Sequence, residues 1–394
     1  MTEWKKVKLK DITISITDGK HGDCKGQDNS GYYFISCKDV SDGTIHYENA
    51  RQITKEDFIE TDKRTNLATN DILITNSGTI GRMAFVKDIP ETRKTTFQKS
   101  VAIVKPNTDK VLPIYLYYLL QSKVSEFVNS SNGAAQKNLL LSTMREFELS
   151  IEESFSIQQR IAIILSRYDS LIENYQKQIK LLEESAQRLY KEWFIDLRFL
   201  GHENTKIVDG IPEGWEKKKI IELVKVQYGF AFDGKLFNSN GEGMPILRIR
   251  NIPDGITSDY TTEEASEDYI VHNGDIVVGM DGIFHINTWS GKNAYLVQRT
   301  CSFRPIEEGL KGFVLQAIKE PIKYFEQTLV GATVAHLGKK HIDSIGVIVP
   351  NKKELFGPLQ KMFKQRQNML NQIRLLTEAR DRLLSKLMSG EIEV

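Results

Sequence analysis

The residues with the most obvious chemical potential lie in one early stretch and one loop. His21, Cys24 and Cys37 could supply metal donors, Asp18 and Asp23 a pair of carboxylates, and Gly78 and Gly81 in "NSGTIGR" a phosphate-cradling turn. None of these completes its chemistry. A fourth metal ligand is missing at any usual spacing, so no metal site is expected. The two aspartates sit in a Gly/Asp loop, where carboxylates commonly form turns. The glycines lack the G-x-x-x-x-G-K-[ST] spacing of a phosphate loop and are better explained as a tight turn between strands. Cys37 and Cys301 fall in apolar strand contexts and are expected to be packing residues. No serine occupies a nucleophile elbow, and nothing in the chain reads as catalytic.

The elements around these residues occur twice. Trp4 matches Trp215 at an offset of 211, and "FISCKDVSDG" from Phe34 echoes "ILRIRNIPDG" from Ile246 at 212. "NDILITNSGTIG" echoes "GDIVVGMDGIFH" at an offset of 204, and "LLEESAQRLY" matches "LLTEARDRLL" at 194. "NGAAQKNLLLSTMREFELSI" lies about 198 residues before "VGATVAHLGKKHIDSIGVIV", in register with the others. The order is kept while the offset drifts, as two diverged copies with loop deletions would give.

Each copy begins with short β-rich runs ("DILIT", "SVAIVK", "DIVVGM", "IGVIVP") separated by Gly/Asp/Asn turns, with one helix in each. Each ends in a long amphipathic helix. In the first, Ile157, Ile161, Ile164, Tyr168, Leu171, Tyr175, Ile179, Leu182, Ala186, Leu189 and Trp193 form the expected seam, with one irregular step around Tyr175. In the second, Arg366 and Arg380 interrupt the seam. Helices of about 38 and 34 residues would reach roughly 50–57 Å and can bury such seams only against each other or a partner, as a spacer between the domains or, alternatively, as a dimerising hairpin. The expected fold is α+β: two tandem β-rich domains alternating with two long helices that pair as an antiparallel coiled-coil spacer, with pseudo-twofold symmetry. The expected boundaries are residues 1–152, 153–200 (first helix), 201–350 (linker and second domain) and 351–394 (second helix).

Composition narrows the class further. With 53 basic and 52 acidic residues the chain has no global field to attract nucleic acid, so any such binding must use local patches. No apolar run approaches the ~18–20 residues of a membrane span. Three cysteines are too few for a disulfide framework and suit a reducing, cytoplasmic setting.

Taken together, "GIPEGWEKKKI" at the second start, "NDILITNSGTIGR" and "GDIVVGMDG", and "NGAAQKNL" ahead of the first long helix make the whole chain resemble the DNA-specificity subunit of a Type I restriction-modification system. The resemblance implies a non-catalytic subunit. Two target-recognition domains would each read one half of a bipartite site in double-stranded DNA, with the helices setting the gap. Two methyltransferase subunits would dock on the helical spine, with a restriction translocase as an optional further partner. S-adenosylmethionine would be bound by the methyltransferase, and no cofactor by this chain. The alternative from another class is a non-enzymatic, bilobed protein-interaction scaffold.

The resemblance also nominates DNA contacts. In the first domain they are Lys20 and His21; Asn76, Ser77, Thr79 and Arg82; and Gln136, Lys137 and Asn138. In the second they are Tyr228 and Phe230, His285 and Asn287, Thr333 and His336, and Lys339 and Lys340. Asn and Gln suit adenine and Arg suits guanine, whereas Lys20, Lys137, Lys339 and Lys340 suit phosphates. "VGATVAHL" and "GMDGIFHI" replace "NGAAQKNL" and "NSGTIGRM" in the second domain, so the two domains are expected to read different bases.

Overall fold

The computed structural model describes residues 4–131, 138–329 and 335–394. The chain forms two compact units, Met1–Asp169 with Ala379–Val394, and Ser170–Glu378. Both units are built on one plan.

In the first unit a four-stranded antiparallel sheet runs in the order Thr13–Asp18, Val101–Pro106, Ile72–Thr75, Met83–Phe85. Ile72–Thr75 is buried along its whole length, which explains why "ILIT" shows no polar alternation. A parallel pair, Tyr33–Ile35 with Thr95–Phe97, lies beside it in sequence order. Trp4–Lys8 pairs antiparallel with Glu148–Glu152, tying the start of the unit to the residues just before the long helix. Pro113 opens a helix, Pro113–Ser122, whose Tyr115, Leu116, Tyr118 and Leu119 are buried in the core.

The second unit repeats this topology. Its four-stranded sheet has the order Val224–Tyr228, Thr300–Pro305, Ile276–Gly279, Ile286–Thr288. Met244–Leu247 runs parallel to Ala294–Leu296, and Glu216–Lys219 pairs antiparallel with Gly346–Val349. The single helix expected in each copy is two helices in both: Pro113–Ser122 then Val124–Asn129, and Lys311–Ala317 then Lys319–Thr328. In the second case Pro321 stands in the first turn of the new helix, where its missing N–H costs nothing.

The long helices span Phe155–Tyr190 and Gly357–Met388. Within the first unit Ile161, Ala162 and Leu165 share a core with Leu384, Leu387 and Met388. Within the second, Ala186 and Leu189 share one with Leu359, Met362 and Phe363. The start of each helix therefore meets the end of the other, and the pair is antiparallel. Gln158, Leu165, Ile172, Ile179 and Ala186 are buried at a constant seven-residue step. The expected irregular step disappears: Leu171 is 47% exposed, and Ile172 takes the inward place. The arginines that interrupt the second seam are held by carboxylates of the first helix, Arg366 by Glu183 and Arg380 by Asp169.

Candidate nucleic-acid interface

In each unit, loops from distant parts of the sequence converge on one short turn that precedes a central strand. In the first unit this turn is residues 98–100. The Lys20 N–H donates to the Phe97 carbonyl at 2.8 Å, and the Lys99 N–H donates to the Lys20 carbonyl at 3.1 Å. The Asn76 N–H donates to the Ser100 carbonyl at 3.0 Å, and the Leu139 N–H to the Asn76 carbonyl at 2.8 Å. Ser77 and Asn138 complete a β-bridge. The loops holding Lys20, Ser77 and Asn138 are thus fastened side by side through their backbones, leaving side chains for other work.

The second unit repeats these bonds around residues 297–299. The Gln298 N–H donates to the Phe230 carbonyl at 2.7 Å, the Met280 N–H to the Arg299 carbonyl at 2.8 Å, and the Leu337 N–H to the Met280 carbonyl at 2.7 Å. Asp281 and His336 form the equivalent bridge. One steric device is shared. A β-carbon on Gly19 would lie 2.0 Å from the Phe97 oxygen, and one on Gly229 would lie 2.0 Å from the Val297 oxygen. Only glycine permits that approach.

The nominated side chains divide by environment. His21, Thr79, Arg82 and Asn138 are exposed and Ser77 is half-buried. Lys20 is half-buried, with its ammonium 3.4 Å from Glu60. Asn76 is turned inward, its side-chain oxygen buried without a hydrogen-bond partner among the described residues. In the second unit His336, Lys339 and Lys340 are exposed and His285 is half-buried. Lys339 pairs with Asp343 at 2.8 Å. Phe230 packs against Phe232 and Tyr269, with ring centroids 4.8 and 5.1 Å away. The Tyr228 hydroxyl is buried, and that burial pushes its pKa up to about 12. Asn287 is fully engaged: its amide donates to the Ile252 and Pro253 carbonyls, and its oxygen accepts from Arg366 and Thr288. Gln136, Lys137 and Thr333 lie outside the described residues.

Charge at the convergence points is organised by aspartates. Asp18 accepts from Arg64 and lies 3.0 Å from His21 Nε2. Asp281 accepts from Arg299 at 2.7 Å and lies 2.6 Å from His336 Nδ1. Arg82, Lys38 and Lys99 are exposed and make no side-chain hydrogen bond or ion pair among the described residues. Burial pushes the Cys24 thiol up. Among the described residues no three His, Cys, Asp or Glu side chains gather where a metal could sit.

Sequence reasoning missed the turn itself. "FQKS" at 97–100 and "VQRT" at 297–300 match at an offset of 200, between the 204 and 198 of their neighbours. That match was available as a signal for Gln98, Lys99, Gln298 and Arg299. It also missed Arg248, the residue two before Arg250.

Two copies of one α+β unit, each gathering loops at a strand end and each carrying part of an antiparallel helix pair, define a protein of tandem repeated units. The chain belongs to the Type I restriction modification DNA specificity domain family, whose model matches residues 1–184 and 212–383. The MjaIX specificity subunit of Methanocaldococcus jannaschii, a type I restriction enzyme component, is 28% identical over 418 residues, covering 100% of this chain and 94% of that protein. The HindI specificity subunit of Haemophilus influenzae is 21% identical over 472 residues, covering 100% of both. A crystal structure of the type I restriction-modification S subunit from M. genitalium shares the fold, with a TM-score of 0.55 at 16% identity over 98% of this chain and 96% of that one. The family is the non-catalytic DNA-recognition component of such systems.

Proposed function

We propose that each unit reads one half of a bipartite DNA sequence, and that the paired helices set the number of base pairs between the halves. The observation that carries this reading is the repeated convergence of loops on residues 98–100 and 297–299. A rigid backbone frame displaying exposed amides, hydroxyls and cations suits base and phosphate contact. The nominated set narrows to Lys20, His21, Ser77, Thr79, Arg82 and Asn138 in the first unit, with Gln136 and Lys137 retained from sequence. In the second it narrows to His285, His336, Lys339 and Lys340, with Thr333 retained. Asn76, Tyr228, Phe230 and Asn287 act as supports. Lys99 and Arg299 join the set.

On this reading two methyltransferase subunits dock on the helical stem, one per unit, and S-adenosylmethionine is bound by them. A restriction translocase joins where the system has one. The complex works in the cytoplasm, where its DNA is; among the described residues no helix is long and apolar enough to cross a membrane. Methylation sequencing of the source genome with and without the gene tests the reading. Loss of one split motif on deletion is expected. An unchanged methylome, with the methyltransferase expressed, would favour a protein-interaction scaffold instead.

A further inference from the structure

The second unit carries an open cleft of about 590 Å³ beside its convergence point, lined by Phe237, Arg248, Arg250, His285, Gln298 and Arg299 among others. Its three arginines are not equivalent. Arg250 forms a two-pronged pair with Asp259, Nη2 donating to Oδ1 at 2.6 Å and Nε to Oδ2 at 3.1 Å, and Arg299 is held by Asp281 at 2.7 Å. Arg248 has no carboxylate partner and no side-chain hydrogen bond among the described residues. Its guanidinium instead lies over the Phe237 ring, 5.5 Å from the centroid. The cleft therefore holds one uncompensated cation whose five N–H donors are unspent.

Both parts of this arrangement are anchored. Arg248 heads a short turn in which its own N–H donates to the Asn251 side chain at 2.9 Å, while the Asn251 N–H donates back to the Arg248 carbonyl at 2.9 Å. Phe237 stands on a strand paired with Tyr260–Thr261. Stacking on a ring selects the plane of the guanidinium and reduces the rotamer freedom lost when a ligand is bound. A planar cation with two parallel donors matches the adjacent O6 and N7 acceptors of guanine in the major groove. The same fork also fits two phosphate oxygens, and a phosphate contact would leave every guanine replacement in the test below without effect.

The first unit is different at this point. Ser36 occupies the same place in its turn: its N–H and hydroxyl both reach Asp39, at 2.8 and 2.7 Å, and the residue is 8% exposed. The duplicated frame thus carries a stacked arginine in one copy and a closed hydroxyl in the other.

We infer that Arg248 is a specificity-determining residue that reads a guanine in the half-site of the second unit, a role with no counterpart in the first. The inference rests on the DNA-reading function proposed above. The test uses the full chain assembled with its methyltransferase subunits, bound to duplexes carrying the motif found by methylation sequencing. Replacing each guanine of the second half-site in turn by 7-deazaguanine removes the N7 acceptor and leaves pairing intact. At one position this should weaken wild-type binding roughly 5- to 150-fold, the span of one good bidentate contact. Arg248→Ala should weaken binding to the unmodified duplex by a similar factor and become indifferent to that replacement. Arg248→Lys, which keeps charge and stem, should assemble normally and still lose the preference. Specificity for the first half-site should be unchanged in both variants.

A second half-site with no sensitive guanine overturns the inference using wild-type protein alone. So does an Arg248→Ala or Arg248→Lys complex that keeps the wild-type preference. A wild-type complex with no preference for either half-site would instead remove the DNA-reading function itself, and this assignment with it.

Discussion

Arg380 of the second long helix donates through Nη1 to one carboxylate oxygen of Asp169 on the first, at 2.7 Å. The Tyr118 hydroxyl donates to the other oxygen at 2.5 Å. Three elements of the first unit, two long helices and the Pro113–Ser122 helix, therefore meet at one carboxylate. Arg380 is 17% exposed and is also held by Asp381 at 2.8 Å, so two carboxylates share its charge and Asp169 is the one on the other helix. Asp169→Ala should destabilise the chain by ~2–3 kcal/mol, somewhat below the cost of breaking a fully buried pair. The double change Asp169→Leu with Arg380→Leu should restore most of the loss, because it leaves no orphaned charge. Urea denaturation measures both, and a wild-type midpoint for Asp169→Ala would show that the pair contributes nothing.

The close approach at Gly19 predicts a local failure. Gly19→Ala places a methyl group 2.0 Å from the Phe97 oxygen, so the Lys20 loop must move away from residues 98–100. We expect a stability cost of ~1–3 kcal/mol and lost recognition of the first half-site only. Gly229→Ala should do the same to the second. Separate scoring of the two half-sites checks it, and equal losses at both would point to general unfolding.

The unpaired cations of the first unit predict a salt dependence. Arg82→Ala and Lys99→Ala remove exposed charges that pair with no carboxylate among the described residues. A residue that holds a phosphate should lower the slope of log K against log salt by about 1 when removed, leaving base preference intact. Arg82→Ala would instead relax one base position if it reads a guanine. Titrations at several salt concentrations distinguish the two roles.

The seven-residue seam sets a rule for changing the stem. Deleting residues 172–178 and 370–376 removes one heptad from each helix, shortening each by ~10 Å. The gap in the recognised motif should shrink by roughly three base pairs at ~3.4 Å per step. Removing four residues from each helix instead breaks the seven-residue phase and should impair folding of the stem. Methylation sequencing reads the gap, and an unchanged gap after the heptad deletion would end the spacer role.

Acid stability should have an identifiable surface component. Hydrogen bonds from Lys10 and Lys8 hold the Glu146 carboxyl down at about 2, below its usual 4.5. A depressed folded-state value favours folding above the unfolded pKa, and that contribution is lost as pH falls toward about 2. Glu146→Gln should flatten the acid limb of a stability profile between pH 4.5 and 2 relative to wild type. Parallel profiles for the two proteins would show that this cluster does not couple to folding.

Much of this architecture was legible because duplication lets one half check the other. The matched offsets of Trp4 and Trp215, and of Gly78 and Gly282, predict two copies of one topology, and the four-stranded sheet, the parallel pair and the terminal antiparallel pair recur in both units, while the second extends the parallel pair into a five-stranded sheet. Side-chain roles were less legible. Asn287 resembles an adenine reader by type, yet its amide is consumed by the Ile252 and Pro253 carbonyls, from a segment about 35 residues earlier. Arg366 and Arg380 looked like interruptions of a seam, because the carboxylates that accept them lie on the other helix.

The sequence by itself determined the local terms: the short apolar runs of the strands, the amphipathic seams of the long helices, the glycines of the turns and the lack of any complete catalytic motif. These follow from backbone geometry and side-chain type over a few residues. Only the tertiary structure decided which polar side chains stay free. That depends on hydrogen-bond partners brought from far along the chain, as Asp259 is to Arg250 and Asp281 is to Arg299, leaving Arg248 with a ring beneath it and no acid beside it. A charged or amide group buried near an acceptor is used up by it, whereas one that meets none keeps its donors for a ligand.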